Sequence, residues 1–524
     1  MELPKGIGNL KSLVARESKA FAEMEKWEDL RQDAYDYFLP QRNLFNREDK
    51  GQKKMERIFD STSLEAIKSG ASKLQENIAP IWSQWADFEP SNEVLRLIES
   101  SNGDVSETQV RENLQKQAEI MFDIINRSNL GTQFFEFSLD LLIGNATLMI
   151  DEDDSEEMPV VFNAIPQIGL AFEEGPHGTV ETHWRRFKVK ARNIERKWVG
   201  FEVSEKLAKI IKDSPDDDVE LSQGVVFNPK EKSYHAIVWV KDEDKVSWVE
   251  SYDTSSPMVT ARYSKTAGET VGRGPALDAL PNVKTLNKAK EFSITKAAID
   301  LSGIWTSLDD GVANPYNITI APGVVIPVGS NNTSNPSLAR LDTSANLDLA
   351  LFEIEQLQTS VKRALFSEVR EPSDAVISAT QFAIESRELA KRIGSAFGRI
   401  QTEALIPILK RVHYILKRRG LVDPIVIGGR EVSIKFTSPL ARAQDAEDLL
   451  SVQQAVEFTM TTAGPDQAKI AYKLEDFGTW AAEKTGMPQE LVRTEPEKAK
   501  IIQAGAEAVQ AGLQPTPPQE PVLQ

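Results

Sequence analysis

The stretch Ala379–Leu416, ATQFAIESRELAKRIGSAFGRIQTEALIPILKRVHYIL, carries a helical pattern longer than one globular domain needs. Its apolar residues recur three, four or seven positions apart on one stripe of a 3.6-residue period. The stripe comprises Phe382, Leu389, Ile393, Phe397, Ile400, Ala404, Ile408, Val412 and Ile415. Such a helix would span roughly 55 Å, so neighbouring helices or neighbouring subunits must cover it. The sequence therefore predicts a long strut.

Pro407 interrupts this pattern. Proline lacks the N–H that would bond the carbonyl of Glu403, and its ring crowds that carbonyl. We therefore expect a kink near Glu403, although Pro407 would also suit a break between two separate helices.

The composition limits the class of protein. The 524 residues carry a formal net charge of -18 and no cysteine, which suits assembly inside a reducing cell and excludes disulfides and thiolate metal sites. So acidic a chain argues against tight binding of nucleic acid phosphates over a broad surface, although a duplex can slide past a negative wall. Acidity for solubility alone is the simpler interpretation. The most apolar stretch, Ile318 to Val328, is too short to span a bilayer.

The order of patterns predicts a mainly α chain with β-containing insertions, an α+β fold. Helical patterns fill much of the first 145 residues, and short β-rich runs follow between Ala146 and Tyr263. Helical signals return at Ala276–Leu301 and Leu347–Leu365. From Leu513 onward the chain is rich in Pro and Gln, so we expect a disordered or extended tail.

The second of these later helices has a regular seam. Leu347, Ala350, Ile354, Leu357, Val361 and Ala364 alternate spacings of three and four, as in a heptad repeat. We predict that Leu347, Ile354, Leu357 and Val361 are packing residues.

Residues that carry chemistry are scarce. The four histidines, His177, His183, His235 and His413, lack metal-ligand spacing, and His413 suits a structural role beside the apolar stripe. The acidic cluster between Asp151 and Glu157 lacks the pattern of a calcium loop, which favours a solvated hairpin turn. The glycine-rich VGRGP, 271–275, matches no phosphate-binding motif and favours a turn in which Gly272 and Gly274 adopt positive φ and Pro275 starts a helix. We predict no catalytic residue, no metal and no cofactor.

The strut is basic within an acidic chain. Between Gln381 and Arg419 it carries Arg387, Lys391, Arg392, Arg399, Lys410, Arg411, Lys417, Arg418 and Arg419 against only Glu385, Glu388 and Glu403. Salt bridges to an acidic surface of another subunit are favoured over contact with DNA phosphates.

Four segments in a fixed order resemble the head-to-tail connecting, or portal, proteins of T7-like short-tailed bacteriophages. They are YDYFLPQRNLF (35–45), RIFDSTSLEAIKSGASKLQENIAPIWSQW (57–85), VGRGPALDALPNVKTLNKAKEF (271–292) and the strut. The resemblance extends from about Trp27 to Gly420. It implies a ring of subunits, usually twelve, at one capsid vertex of the virion, through whose channel DNA is packaged and ejected.

The resemblance also implies a division of the chain. Residues 1–145 correspond to the N-terminal helical part of the wing, 146–270 to a β-rich wing region, 271–305 to a stem helix, 306–344 to the clip, 345–366 to a second stem helix, 367–378 to the channel loop, 379–420 to the long kinked wing helix, 421–510 to a crown-like helical region and 511–524 to a disordered tail. The four packing residues then belong to the stem. A cyclic ring closes when its heterologous interface has the right rotation.

The implied mechanism is mechanical. The channel candidates are Lys362, Arg363, Glu368, Arg370, Glu371 and Asp374, and each also suits an ordinary solvated loop or helix end. The implied partners are a terminase packaging motor that hydrolyses ATP, capsid and scaffolding proteins, tail adaptors, and double-stranded DNA bound without sequence specificity, with assembly in the host cytoplasm and no membrane. Two alternatives stay open: another ring-forming virion protein such as a tail adaptor, and a polymer hydrolase with an unrecognised carboxylate pair.

Overall fold

The computed structural model of the chain describes residues 3–42, 58–100, 107–302, 305–307, 334, 338–340, 347–368, 392–394, 396–423 and 432–464, with 467–468, 471–473, 477–478 and 480–481. The helices within these ranges are α1 (Leu10–Glu25), α2 (Glu28–Phe38), α3 (Thr62–Ile78), α4 (Asn92–Ser100), α5 (Glu107–Arg127), α6 (Leu130–Ile143), α7 (Ile194–Lys197), α8 (Glu205–Asp213), α9 (Pro275–Ser302), α10 (Leu347–Ala364), α11 (Ile406–Arg418) and α12 (Pro439–Ala463). A π-helical turn, Gln401–Leu405, precedes α11.

The same described ranges contain four antiparallel sheets. The strands are β1 (Ala86–Pro90), β2 (Asn145–Glu152), β3 (Val160–Ile165), β4 (Leu170–Glu174), β5 (Val180–Lys190), β6 (Asp218–Asn228), β7 (Ser233–Val240), β8 (Trp248–Asp253), β9 (Met258–Arg262), β10 (Trp305–Ser307), β11 (Leu338–Arg340) and β12 (Val432–Phe436). The sheet orders are β4-β5-β6-β7-β8, β3-β2-β9, β1-β12 and β10-β11. The predicted α+β class is confirmed.

The acidic cluster lies at a hairpin, as expected. β2 and β3 are antiparallel neighbours whose last pair is Glu152 with Val160, so residues 153–159 connect them. Among the described residues there is no group of three or more His, Asp or Glu side chains arranged to hold a metal ion.

The strut's apolar stripe packs inside this chain's own core. Ile393, Phe397 and Ile400 are buried, as are Ala404, Ile408, Val412 and Ile415, whereas Phe382 and Leu389 lie outside the described residues. The same core includes side chains from α3, α6, β2 and α9. Burying one such Ile or Val contributes about 1.5–3 kcal/mol, so the described part of the strut is a principal support of the subunit.

The glycines of VGRGP serve close packing, and the expectation of positive φ was wrong. Neither Gly272 nor Gly274 has a positive φ. A Cβ on Gly272 would lie 2.7 Å from the Cβ of Arg262, and one on Gly274 would overlap the carbonyl oxygen of Leu142. Backbone segments therefore approach each other here more closely than a side chain allows. Pro275 is the first residue of α9, as predicted.

Candidate functional site: the α9–α10 hairpin and the strut

Helices α9 and α10, which the sequence predicts to be the two stem helices, lie side by side. The amide of Asn282 donates to the hydroxyl of Ser360 over 3.2 Å, which fixes the level at which the two helices pass. Ile354 and Val361 of the predicted seam are buried in the core of the same chain, and Leu357 packs against it. The side chain of Leu347 lies outside the described residues. Three of the four seam residues therefore already have partners within one subunit.

Other apolar side chains of the hairpin are exposed in the part of the chain that the structure describes. Phe292 on α9 is 62% exposed, and Phe352 on α10 is 56% exposed. Ile294 and Leu351 are exposed as well. Residues 292 and 294 are about 200° apart around a helix, so they project from opposite flanks of α9. These exposed residues were not predicted from the sequence, because the heptad spacing on α10 identifies only the face of the helix that is buried.

The end of α10 is a Schellman motif built on a non-glycine residue. The N–H of Ser367 donates to the carbonyl of Lys362 over 2.8 Å, and that of Phe366 to the carbonyl of Arg363 over 3.3 Å. Phe366 has a φ of +59°, the position that glycine usually occupies. The left-handed conformation costs about 1–2 kcal/mol for a non-glycine residue. Because the Phe366 ring is buried, apolar burial offsets this cost.

Helix α3 anchors the residues that follow this turn. The ammonium of Lys73 donates to the carbonyls of Phe366 and Glu368 over 2.9 and 3.2 Å. A Cβ on Gly70 would overlap the carbonyl oxygen of Leu365, so glycine is needed for α3 to approach so closely. The start of the proposed channel loop is therefore held to the body of the subunit.

Three of the six channel candidates fall within the described residues. Glu368 accepts a hydrogen bond from Arg363 over 2.9 Å and pairs with Arg392 of the strut over 3.4 Å. Burial alone would raise the pKa of Glu368, but the hydrogen bond and charges of the two arginines outweigh it and lower the pKa. Lys362 is exposed on α10. Arg370, Glu371 and Asp374 lie outside the described residues, and the channel role of all six stays a prediction.

The strut leaves α-helical geometry just before Pro407. Residues 396–400 are helical, and a π-helical turn follows in which the N–H of Ile406 donates to the carbonyl of Gln401, five residues back. Proline then lies in the first turn of α11, where its missing N–H costs least. A π-helical turn is a recognised cause of bending, although the predicted kink at Pro407 stays a prediction.

Glu403 on this π turn makes a buried ion cluster with the end of β9. Its carboxylate accepts from Nε and Nη2 of Arg262 over 3.1 and 2.6 Å, and from the N–H of Arg262 over 3.0 Å. The other guanidinium donors reach the carboxylate of Glu174 and the carbonyls of Thr270 and Gly178. All five donors of a side chain that is fully buried are thereby satisfied. Burial alone would lower the pKa of Arg262, but the bonds and charges of Glu403 and Glu174 outweigh it and raise the pKa.

The basic residues at the end of the strut have acidic partners in the same chain. Arg418 pairs with Glu152 and, over 3.1 Å, with Glu250, and Arg419 pairs with Glu152 over 2.9 Å. Arg411 is buried, with its guanidinium 4.2 Å from the ring centroid of Tyr252. These arginines thus have contacts within their own chain, and the expectation of intersubunit salt bridges, favoured over DNA contact, stays a prediction for the strut. The acidic hairpin between β2 and β3 supplies the neighbour.

Two buried histidines are structural in different ways. His413 contacts the carbonyl of Asp423 over 3.2 Å, in line with the predicted structural role. Burial lowers its pKa, against the opposing effect of that bond. His183 is buried on β5 with neither ring nitrogen bonded to a described residue, and burial lowers its pKa to about 3. The described residues of the site thus contain structural ion pairs and exposed apolar side chains.

Comparison with known proteins identifies the class to which this subunit belongs. The family model described as "Bacteriophage head to tail connecting protein" matches residues 10–492, so the chain belongs to that family. The head-to-tail connecting function expected from the sequence is confirmed at this level, and the family is structural rather than enzymatic.

Individual relatives are more distant. The chain is 23% identical over 432 residues to the "Portal protein" of Salmonella phage epsilon15, a match covering 75% of this chain and 74% of that protein. Solved structures with some likeness include the "Virion of native gene transfer agent (GTA) particle", at 12% identity, a TM-score of 0.33, and coverage of 77% of this chain and 89% of that one. Another is the "Neck of empty GTA particle computed with C6 symmetry", at 11% identity, a TM-score of 0.31, and coverage of 79% and 94%. Among the described residues, no helix has the length and apolar character to cross a membrane.

Proposed function

We propose that copies of this chain assemble side by side into a closed portal ring of twelve subunits at one capsid vertex. In this proposal double-stranded DNA passes through the central channel during packaging and ejection, and the ring docks a terminase motor, capsid and scaffolding proteins and tail adaptors after assembly in the host cytoplasm. Helices α9 and α10 serve as stem, 306–344 as clip and 367–378 as channel loop. Wing segments (1–145, 146–270 and 379–420) and a crown (421–510) surround this conduit.

The proposed ring rests on one observation: the α9–α10 hairpin has two stripes of side chains that differ in charge, one on each helix. On α9, Lys288, Phe292 and Lys296 are spaced by four and share one face. The ammonium of Lys288 lies 4.7 Å from the ring centroid of Phe292, so this stripe is aromatic and basic. On α10, Leu351 and Glu355 are also four apart, both exposed, and form an apolar and acidic stripe.

The two stripes also occupy matching positions along the length of the hairpin. The hydrogen bond between Asn282 and Ser360 gives a common reference point along the two helices. Lys288 lies six residues beyond Asn282 and Glu355 lies five residues before Ser360, so their distances along the helix axes differ by about one residue, or ~1.5 Å. Phe292 and Leu351 match in the same way. Subunits of a ring sit at equal height around its axis, so the α9 stripe of one copy meets the α10 stripe of the next if the hairpin runs along that axis. Two unlike faces make a heterologous interface, which closes into a ring when the rotation between neighbouring subunits is right.

The charges support the same pairing. Glu353 and Glu355 have no ion-pair partner among the described residues, whereas Lys288 is only partly balanced by Glu291 of its own chain, 2.8 Å away. Opposite charges across an interface favour the correct register and penalise wrong ones. Each exposed pair contributes at most ~1 kcal/mol, but the contribution repeats at every interface of the ring.

A charge exchange tests this interface. Lys288→Glu and Glu355→Lys should each shift purified protein toward smaller species in sedimentation velocity, and combining them should restore the large oligomer. Lys68→Glu, an exposed substitution on α3, is the matched control and should leave the oligomer unchanged. Intact oligomers in both single variants, or a failure of the combined variant to recover, would contradict the proposed contact.

A further inference from the structure

A groove with an aromatic lining lies at the C-terminal end of α3. It has a volume of about 690 Å³ and is bounded by the end of α3, the loop from Pro80 to Trp85, and the junction between α5 and α6. Ile81 and Trp82 form its exposed rim, and Trp85, Phe134 and Phe135 contribute to its walls. Its size falls within the range of natural ligand pockets.

Trp82 is unusual in both exposure and backbone. Its side chain is 77% exposed, and its φ is +63°, which a bulky residue rarely adopts. Holding a tryptophan in this conformation costs on the order of 1 kcal/mol, and contacts with the described residues cover only a small part of the ring. An exposed aromatic side chain presented on a strained backbone is typical of a binding surface rather than of a core.

The groove also contains unused hydrogen-bond donors. The indole N–H of Trp82 and the side-chain amide of Asn126 have no partner among the described residues. Aromatic walls with free donors suit a polyproline II ligand, because that helix has no internal hydrogen bonds and leaves every carbonyl available. Proline-rich segments bind grooves of this kind in other proteins through the same chemistry.

The chain itself contains a segment with this chemistry. In LQPTPPQEPVLQ, 513–524, prolines occupy positions 515, 517, 518 and 521. Proline fixes φ near the polyproline II value, so such a segment loses little entropy when it binds in that conformation. Its composition leaves it little else to bury.

The connecting chain is long enough for the segment to reach the groove. The N–H of Thr437 donates to the carbonyl of Trp85 over 2.9 Å, so α12 starts beside the groove. Thr459 is then roughly 33 Å away along the helix, and the hydroxyl of Tyr472 lies 3.2 Å from that of Thr459. The residues between Tyr472 and Pro515 span well over ~100 Å when extended, which is ample for a return to Trp82.

We propose that the groove formed by Ile81, Trp82 and the α5–α6 junction binds the Pro-rich segment 513–524 of this chain as a polyproline II helix. Stacking of prolines on Trp82, with donation from its indole N–H to a segment carbonyl, covers the exposed ring. Tethering raises the effective concentration of the segment to the millimolar range, which is sufficient for a contact of this small size. The inference does not depend on the portal assignment.

Hydroxyl-radical footprinting read by mass spectrometry tests the contact in any oligomeric state. Trp82 should be oxidised several-fold more slowly in the full chain than in a chain that ends at Gly512. A synthetic peptide of residues 512–524, added at millimolar concentration, should restore protection. The same peptide with Pro517 and Pro518 changed to Gly should not. Val199, which is exposed far from this groove in sequence, serves as the internal reference and should react equally in all samples.

Two results would overturn the proposal. One is equal oxidation of Trp82 with and without the segment. The other is protection that persists in the shortened chain and rises with protein concentration, which would show that a second copy covers the groove.

Discussion

The guanidinium of Arg262 and the carboxylate of Glu403 join the end of β9 to the π turn of the strut through two side-chain hydrogen bonds. The pair is buried, and Glu403 also accepts from the backbone N–H of Arg262. The contact therefore fixes the strut to the β-rich region at a place where its described residues depart from α geometry.

Glu403→Gln should destabilise the subunit by about 3–5 kcal/mol, because it leaves the buried charge of Arg262 without its main partner. The midpoint of urea unfolding measures the change. Arg399→Gln is the matched control: Arg399 contacts the same carboxylate over 3.0 Å but is partly exposed, so its loss should cost no more than ~1 kcal/mol. Equal effects of the two variants would contradict the assigned role of Arg262.

Gly70→Ala and Gly398→Ala should change stability in opposite directions. A methyl group on Gly70 overlaps the backbone of Leu365, so we expect a loss of about 1–3 kcal/mol. Gly398 has open space around its Cβ position in a helix, so alanine should stabilise by about 0.5–1 kcal/mol. Thermal unfolding of both variants measures the signs, and a tolerated alanine at position 70 would refute the close approach of α3 to α10.

Ile354→Ala and Leu351→Ser should separate folding from assembly. Ile354 is buried within the chain, and its truncation should cost about 2–5 kcal/mol of subunit stability. Leu351 is exposed, so serine should leave urea unfolding of dissociated subunits unchanged while reducing the fraction of large oligomer. Loss of subunit stability in Leu351→Ser would place that residue in the core instead.

Subunit stability should fall below neutral pH through His183. Its folded-state pKa is lowered to about 3, so the unfolded chain takes up a proton first as the pH drops. The stabilisation is complete above pH ~6.5 and is lost progressively toward pH 3, by roughly 3 kcal/mol at pH 4. The free energy of unfolding, measured with urea at several pH values, should depend less steeply on pH in His183→Gln than in the original protein. His177→Gln, at an exposed site, should retain the original pH dependence. An unchanged slope in His183→Gln would show that this ring is accessible to protons in the folded state.

Much of the fold could be predicted from periodicity. The strut stripe, the α9 and α10 helices and the β-rich region between Ala146 and Tyr263 follow directly from spacing and β-propensity. The turn predicted at the glycines of VGRGP was wrong: Gly272 and Gly274 flank Arg273, which pairs with Ser264 in an isolated β-bridge. Their role depends on which backbone segments meet in three dimensions. Likewise, apolar residues spaced alternately three and four positions apart on α10 predict a buried face. The spacing does not show whether the same chain or another copy covers that face.

The ion cluster around Arg262 could not have been found from sequence. Its partners Glu174 and Glu403 are far apart in the chain and carry no local signature. The partners of the basic strut residues were equally hidden in the sequence. The excess of positive charge indicated an acidic neighbour, but only the fold shows that Glu152 and Glu250 are the acidic partners of Arg418.

The most direct test of the central claim is an electron-microscope image of the purified protein viewed end-on. We expect annular particles with rotational symmetry and a central hole, formed by side-by-side copies of the α9–α10 hairpin. A population of compact single subunits, persisting at high concentration and in the presence of procapsids, would contradict it.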